Sequence, residues 1–73
     1  MPHVIVKMYP GNTEEQKSKL AEEITKVVMA STGKPEAAVS VSIVEVPEEV
    51  WMEQVYQTEI LPEIDNLYKK PGY

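Results

Sequence analysis

Hydrophobic and polar positions along the chain follow two different periods. Residues 3–9 are rich in β-branched and apolar side chains, and residues 39–46 alternate apolar with small polar residues, so both runs predict strands. Between them, apolar residues recur at helical spacing at Leu20, Ile24, Val27 and Val28. A strand, an amphipathic helix and a second strand predict a parallel pair joined by a right-handed crossover.

Local signals mark the two ends of the predicted helix. Thr13 and Gln16 have capping-box spacing, in which each side chain accepts a hydrogen bond from the backbone of the other residue. Gly33, followed two residues later by a proline, is typical of a helix end. The helix is therefore expected from about Glu14 to Ser31.

The last third of the chain, from Pro47 to Lys70, is helical in character. Its apolar stripe consists of Val50, Trp51, Val55, Tyr56, Ile60, Leu61, Ile64, Leu67 and Tyr68. Pro62 interrupts the stripe and removes one helical hydrogen bond. We expect either a kink or two short helices, with Pro62 opening the second.

These elements predict an α+β fold, with residues 1–73 forming one domain. The β-α-β protomer has two parallel strands, one crossover helix and a C-terminal helical segment. A two-stranded sheet has two open edges, and the first helix covers only one of its faces. A partner subunit or the second helix must cover the other face. We favour the partner, because pairing strands across subunits also removes an edge.

Chain length and composition support association. A chain of 73 residues forms a small core, and with no cysteine and one histidine it has almost no ligands for disulfides or metals. Seven lysines, no arginine and a net charge of −5 argue against nucleic-acid binding. No apolar run is long enough to span a membrane. The start of the chain lacks the regions of a signal peptide, so we expect a cytoplasmic protein.

Pro2 is the candidate catalytic group. Removal of Met1, which aminopeptidases perform when the next residue is small, would expose a terminal secondary amine. Burial in an apolar pocket lowers the pKa of such an amine towards neutrality, as a general base requires. The predicted strand order places Pro2 near Val39 and Ser40. The dipeptide alone is weak evidence, because many proteins begin Met-Pro without catalytic use.

Several short motifs, taken in order, strengthen this hypothesis. They are Pro2-His3, Glu15-Gln16-Lys17, Trp51, Glu59-Ile60 with Pro62, and Lys69-Lys70-Pro71-Gly72-Tyr73. Together with the β-α-β pattern, they resemble the 4-oxalocrotonate tautomerase family, and most closely its dimeric, phenylpyruvate-type bacterial branch. The resemblance covers nearly the whole chain. It implies a cofactor-independent isomerase that moves a proton between the enol oxygen and the adjacent carbon of a 2-keto acid.

The resemblance also assigns roles to individual residues. Pro2 matches the catalytic base, and Trp51 falls where the family keeps a large aromatic residue lining the pocket. Where the 4-oxalocrotonate enzymes carry arginines that grip a dicarboxylate, this chain has Asn12 and Ser40. An aromatic monocarboxylate such as phenylpyruvate, held by Trp51 and by backbone N–H groups or a lysine, therefore suits the chain better. The resemblance implies a homodimer, with a hexamer as the alternative.

Other readings and residues stay open on the sequence alone. A non-catalytic oligomeric binding module on the same fold is the main alternative, and hydration or dehalogenation of an unsaturated acid is a third. Lys7 and Lys34 are candidate partners for a substrate carboxylate. His3 is expected to be structural, and a lone histidine makes no metal site.

Overall fold

The computed structural model describes all 73 residues and has the predicted β-α-β order. Its elements are β1 (His3–Met8), α1 (Glu14–Thr32), a 3₁₀ turn (Glu36–Ala38), β2 (Ser40–Glu45), α2 (Glu48–Trp51), a π-helical segment (Met52–Ile60) and a second 3₁₀ turn (Leu61–Asn66). The α+β prediction is confirmed. No helix is both long and apolar enough to cross a membrane.

The sheet consists of β1 and β2 in parallel, with His3 opposite Ser40. The Ser40 amide donates to the Pro2 carbonyl at 3.1 Å, and the Val46 amide donates to the Met8 carbonyl at 2.8 Å. Backbone pairing therefore extends one residue beyond each end of the sheet, so Pro2 is hydrogen-bonded into the sheet.

The ends of α1 are set by local chemistry. Thr13 Oγ1 accepts from the Gln16 amide at 3.1 Å, and Gln16 Oε1 accepts from the Thr13 amide at 2.8 Å. At the other end Gly33 adopts the left-handed conformation, with φ of 72°, and its amide donates to the Met29 carbonyl. The helix ends at Thr32, one residue beyond the prediction.

α1 covers one face of the sheet. The groove between helix and sheet is lined by Ala21 of the helix and by Val41 and Ile43 of β2. Lys17 ties the first turn of the helix to the end of β2, because its ammonium group pairs with Glu14 at 2.7 Å and with Glu45 at 3.5 Å.

The segment after β2 departs from a regular helix. α2 passes directly into the π-helical segment, and the Leu61 amide donates to the carbonyl of Tyr56, five residues earlier. Pro62 lies in the first turn of the 3₁₀ segment that follows, which confirms that it opens a second helical piece. The helical path ends at Asn66, so the prediction that it reaches Lys70 is wrong. 3₁₀ helices are rarely longer than one turn or two, and Leu67 is already extended.

The face of the sheet opposite α1 is only partly covered. Val46 and Val55, the two buried residues of the chain, lie near the carboxyl end of that face, which the π-helical segment approaches through an ion pair between Lys7 and Glu59. Ile5 retains 56% of its exposure and Val44 39%, and strand alternation puts both on this same face. A core of two side chains is small for a lone protomer, and the open face leaves apolar surface available for association.

Candidate active site

The amino-terminal end of the sheet holds Pro2 and Ser40 together. Besides the backbone bond between them, Ser40 Oγ lies 2.6 Å from His3 Nδ1, which fixes the start of both strands. Pro2 is half-buried. The predicted proximity of Pro2 to Ser40 is thus observed, and the side chain of His3 has a structural partner.

No cavity of the protomer is lined by Pro2. Lowering the pKa of an amine takes desolvation in an apolar enclosure, and no cavity of the protomer provides one at Pro2. One chain therefore supplies the candidate base and a rigid support for it, without the apolar enclosure that the chemistry needs.

The carboxyl-terminal end of the sheet carries a cavity of about 790 Å³. Its walls are largely aromatic and include Tyr9, Trp51, Tyr56 and Tyr73. The Tyr9 and Trp51 rings meet edge to face, with centroids 5.2 Å apart and planes at 87°. Trp51 Nε1 donates to the hydroxyl of Tyr73 at 3.0 Å, and Tyr73 in turn lies 5.7 Å from the ring of Tyr56. The indole is therefore held on both sides.

Local structure explains why these residues meet. Gly11 has φ of 127°, a value that side-chain-bearing residues avoid, and this turn brings Asn12 to the cavity. The Asn12 amide nitrogen donates to Gln16 Oε1 at 3.3 Å, which leaves its second hydrogen free. Trp51 is the last residue of α2, at the junction with the π-helical segment, a kind of irregularity that is frequent at functional sites.

Lys7 is the only charged residue that lines this cavity, and its ammonium group pairs with Glu59. Lys7 therefore lies where a partner for a substrate carboxylate would have to be. Lys34 lies elsewhere, in the segment after α1, and lines no cavity.

Sequence reasoning missed three of the four aromatic residues. Tyr9 belongs to the apolar run of a predicted strand, Tyr56 to that of a predicted helix, and Tyr73 to the terminal motif. The contact between Trp51 and Tyr73 joins residues 22 apart in sequence, and no local period encodes such a contact. The available signal was that every aromatic residue of the chain is a tyrosine or a tryptophan, which carries a polar group as well as a ring.

Ionisable groups with altered pKa values lie on α1, away from this cavity. A hydrogen bond from Lys19 lowers the pKa of Glu23, and a hydrogen bond to Glu22 raises the pKa of Lys26. These are exposed ion pairs at helical spacing, so their effect is on the helix and not on substrate chemistry.

The four residues predicted for the site thus form two pairs at opposite ends of the sheet. Pro2 and Ser40 lie at the amino end, whereas Trp51 and Asn12 lie at the carboxyl end. At roughly 3.3 Å per strand residue, the two ends are about 20 Å apart. Within one protomer the candidate base and the aromatic cavity do not meet.

The chain is similar in sequence and in structure to known proteins. Residues 2–56 match the family described as tautomerase enzyme. Over the full chain the protein is 42% identical to Tautomerase PptA of Cronobacter sakazakii, of which it covers 97%, and 40% identical to a probable tautomerase of Xylella fastidiosa, of which it covers 89%. The crystal structure of YwhB, a homologue of 4-oxalocrotonate tautomerase, is 42% identical and superposes with a TM-score of 0.63 over 64% of this chain and 77% of that one. The protein therefore belongs to the tautomerase family and is an isomerase.

Proposed function

We propose that the protein catalyses keto-enol proton transfer on an aromatic 2-keto acid such as phenylpyruvate, with the amine of Pro2 as the base. After removal of Met1, the neutral nitrogen accepts the proton of the enol hydroxyl as the oxygen becomes a carbonyl. The resulting ammonium returns a proton to the adjacent carbon, so the base is regenerated and the substrate is isomerised.

The observation that carries this proposal is that Pro2 and the aromatic cavity lie at opposite ends of the sheet, where a two-fold dimer can bring them together. A two-fold dimer that pairs the same sheet edge of each protomer runs the paired strands antiparallel. The amino end of one sheet then lies beside the carboxyl end of the other. Pro2 of each protomer would face the aromatic cavity of its partner, which supplies the enclosure that Pro2 lacks in its own chain.

The cavity favours an aromatic substrate. Its volume of about 790 Å³ lies within the range of roughly 300–1,000 Å³ typical of small-molecule sites. Trp51 and the tyrosines offer ring faces and edges for stacking. With no arginine in the chain, a dicarboxylate would lack bidentate anchors at Asn12 and Ser40. In the dimer Ser40 lies beside the base, and Asn12 of the partner offers an amide hydrogen to the enolate oxygen.

Two variants test the base independently. Pro2→Ala replaces the secondary amine at the start of the strand by a primary amine. A form in which the residue before Pro2 cannot be removed converts the Pro2 nitrogen into an amide. We expect each to lower kcat/KM for phenylpyruvate by at least about a hundredfold, the usual contribution of a general base. Intact mass establishes whether Met1 is absent from the active protein.

The control is to measure whether each variant still associates, because a variant that no longer assembles would lose activity for another reason. Both variants should retain the wild-type apparent mass and far-ultraviolet circular dichroism. Full activity in the form with a blocked Pro2 nitrogen would exclude that nitrogen as the base.

A further inference from the structure

Lys7 has a position that no other cation of the chain shares. It is the only charged residue lining the aromatic cavity, on the same wall as Tyr9 of the first strand's end. The chain carries a net charge of −5, which disfavours the approach of an anionic substrate. Lys7 is therefore the one cation that a negatively charged group in this cavity can meet.

The structure also shows what the Lys7 ammonium group contacts. Its ammonium group pairs with Glu59 of the π-helical segment, 52 residues away in sequence. Glu59 itself does not line the aromatic cavity and lies in a neighbouring groove with Ile5 and Val55. Lys7 thus lies between two concavities, with Glu59 on one side and the aromatic rings on the other.

We propose that Lys7 anchors the carboxylate of the substrate and that Glu59 sets the strength of this anchor by competing for the same ammonium group. This assignment rests on the proposed function and adds the group that replaces the missing arginines. An ammonium has three hydrogens, of which one serves Glu59, so a second carboxylate can be accepted from the cavity side. The side chain of Lys7 keeps 34% of its exposure and that of Glu59 47%, so both have room to move.

The proposal predicts opposite effects for the two members of the pair. Lys7→Met removes the charge while keeping a flexible side chain of similar length. We expect it to raise the dissociation constant for an aromatic carboxylate by about tenfold or more, as loss of a charge-assisted bond does. Glu59→Gln removes the competitor, so we expect the same dissociation constant to fall severalfold.

Binding can be measured without catalysis. Trp51 is the only tryptophan, and therefore its fluorescence reports on this cavity alone. The probe is 3-phenylpropanoate, which has no enolisable ketone, and its amide serves as the uncharged counterpart. Titrations in a Pro2→Ala background measure the cavity alone, so their result does not depend on whether Pro2 is the base.

Two control variants separate charge from packing. Lys34→Met removes an exposed lysine that makes no ion pair and lies outside the cavity, and it should leave binding unchanged. Lys7→Arg keeps the charge and should retain affinity within a few-fold. Binding of the amide should be the same in wild type and in Lys7→Met.

Each outcome decides for or against the anchor. Equal affinity of wild type and Lys7→Met for 3-phenylpropanoate would overturn it, as would an equal loss for the acid and the amide. Weaker binding to Glu59→Gln would overturn the competition. The anchor is tested by binding in a Pro2→Ala background, whereas the base is tested by activity. A failure of the anchor and a failure of the base are therefore distinguishable.

Discussion

The two ends of the parallel sheet carry different parts of the proposed site. At the amino end, Pro2 is fixed by a backbone bond to Ser40 but has no cavity around it. At the carboxyl end, Trp51 and three tyrosines enclose a cavity with Lys7 as its only charge, but no candidate base lies there. A single protomer thus fixes the position of Pro2 and of the aromatic cavity without bringing the two together.

The same contrast appears in the faces of the sheet. α1 covers one face, whereas the opposite face leaves Ile5 and Val44 partly exposed. In the proposed dimer, pairing of sheet edges brings the two ends together, and the open face is a second surface that association can bury. The predictions that follow test the two ends and the face between them.

The largest effect is expected from a charge on the open face. Ile5→Glu places a carboxylate on this apolar surface, and an uncompensated charge costs about 3–5 kcal/mol if association buries it. We expect dissociation in sedimentation analysis and loss of activity with it. Val27→Glu is the matched control, since Val27 is even more exposed, at 63% against 56%, but lies on α1. If Val27→Glu dissociates the protein and Ile5→Glu does not, the helix face mediates association instead.

A smaller effect is expected at the carboxyl end from Tyr73→Phe. This change removes the hydroxyl that accepts from Trp51 Nε1 and keeps the ring, and a hydrogen bond of this kind contributes about 0.5–1.5 kcal/mol. We expect a shift in Trp51 emission and a rise of a few-fold in KM with little change in kcat. Tyr68→Phe is the control, because Tyr68 is fully exposed. Identical emission spectra for the two variants would contradict the contact.

The smallest effect concerns Lys17, which is remote from both ends of the site. A hydrogen bond to Glu14 is the main cause that raises the pKa of Lys17, opposed by partial desolvation and helped by the charges of Glu14 and Glu45. A raised pKa means that folding favours the charged form of Lys17. The contribution of this charge to the free energy of unfolding is therefore present at neutral pH. It is lost as the pH rises beyond the ordinary lysine value of about 10.4.

The stability difference between wild type and Lys17→Met should therefore be small at neutral pH and should vanish in alkali. Denaturant midpoints measured across this range check the sign. A difference that grows with rising pH would contradict the assignment, and activity should stay unchanged throughout.

Local signals allowed much of the fold to be predicted from the sequence. Thr13 and Gly33 mark the ends of α1 through backbone chemistry within a few residues of each, so the helix was placed to within one residue. Pro62 likewise opened the second helical piece as predicted. The π-helical path and the early end at Asn66 were not predictable, because an apolar stripe cannot distinguish one helical pitch from another over so short a segment.

The candidate site was less accessible to sequence reasoning. Pro2, Ser40, Asn12 and Trp51 could be named from a family resemblance, but the pattern says nothing about their separation in the protomer. The contact of Trp51 with Tyr73 and that of Lys7 with Glu59 join distant positions through the chain's path in space. Only the structure shows that Trp51, Tyr73 and Lys7 line one cavity and that Glu59 lies in the groove beside it.

Subunit mixing tests most directly whether the two ends of the sheet meet across two protomers. Pro2→Ala and Trp51→Ala, each strongly impaired alone, are unfolded together and reassembled in equal amounts. Mixed dimers then contain one site with both residues intact, so activity should recover to about a quarter of wild type by random pairing. If base and cavity belonged to the same protomer, every site would carry one defect, and the mixture would show no activity beyond that of the separate variants.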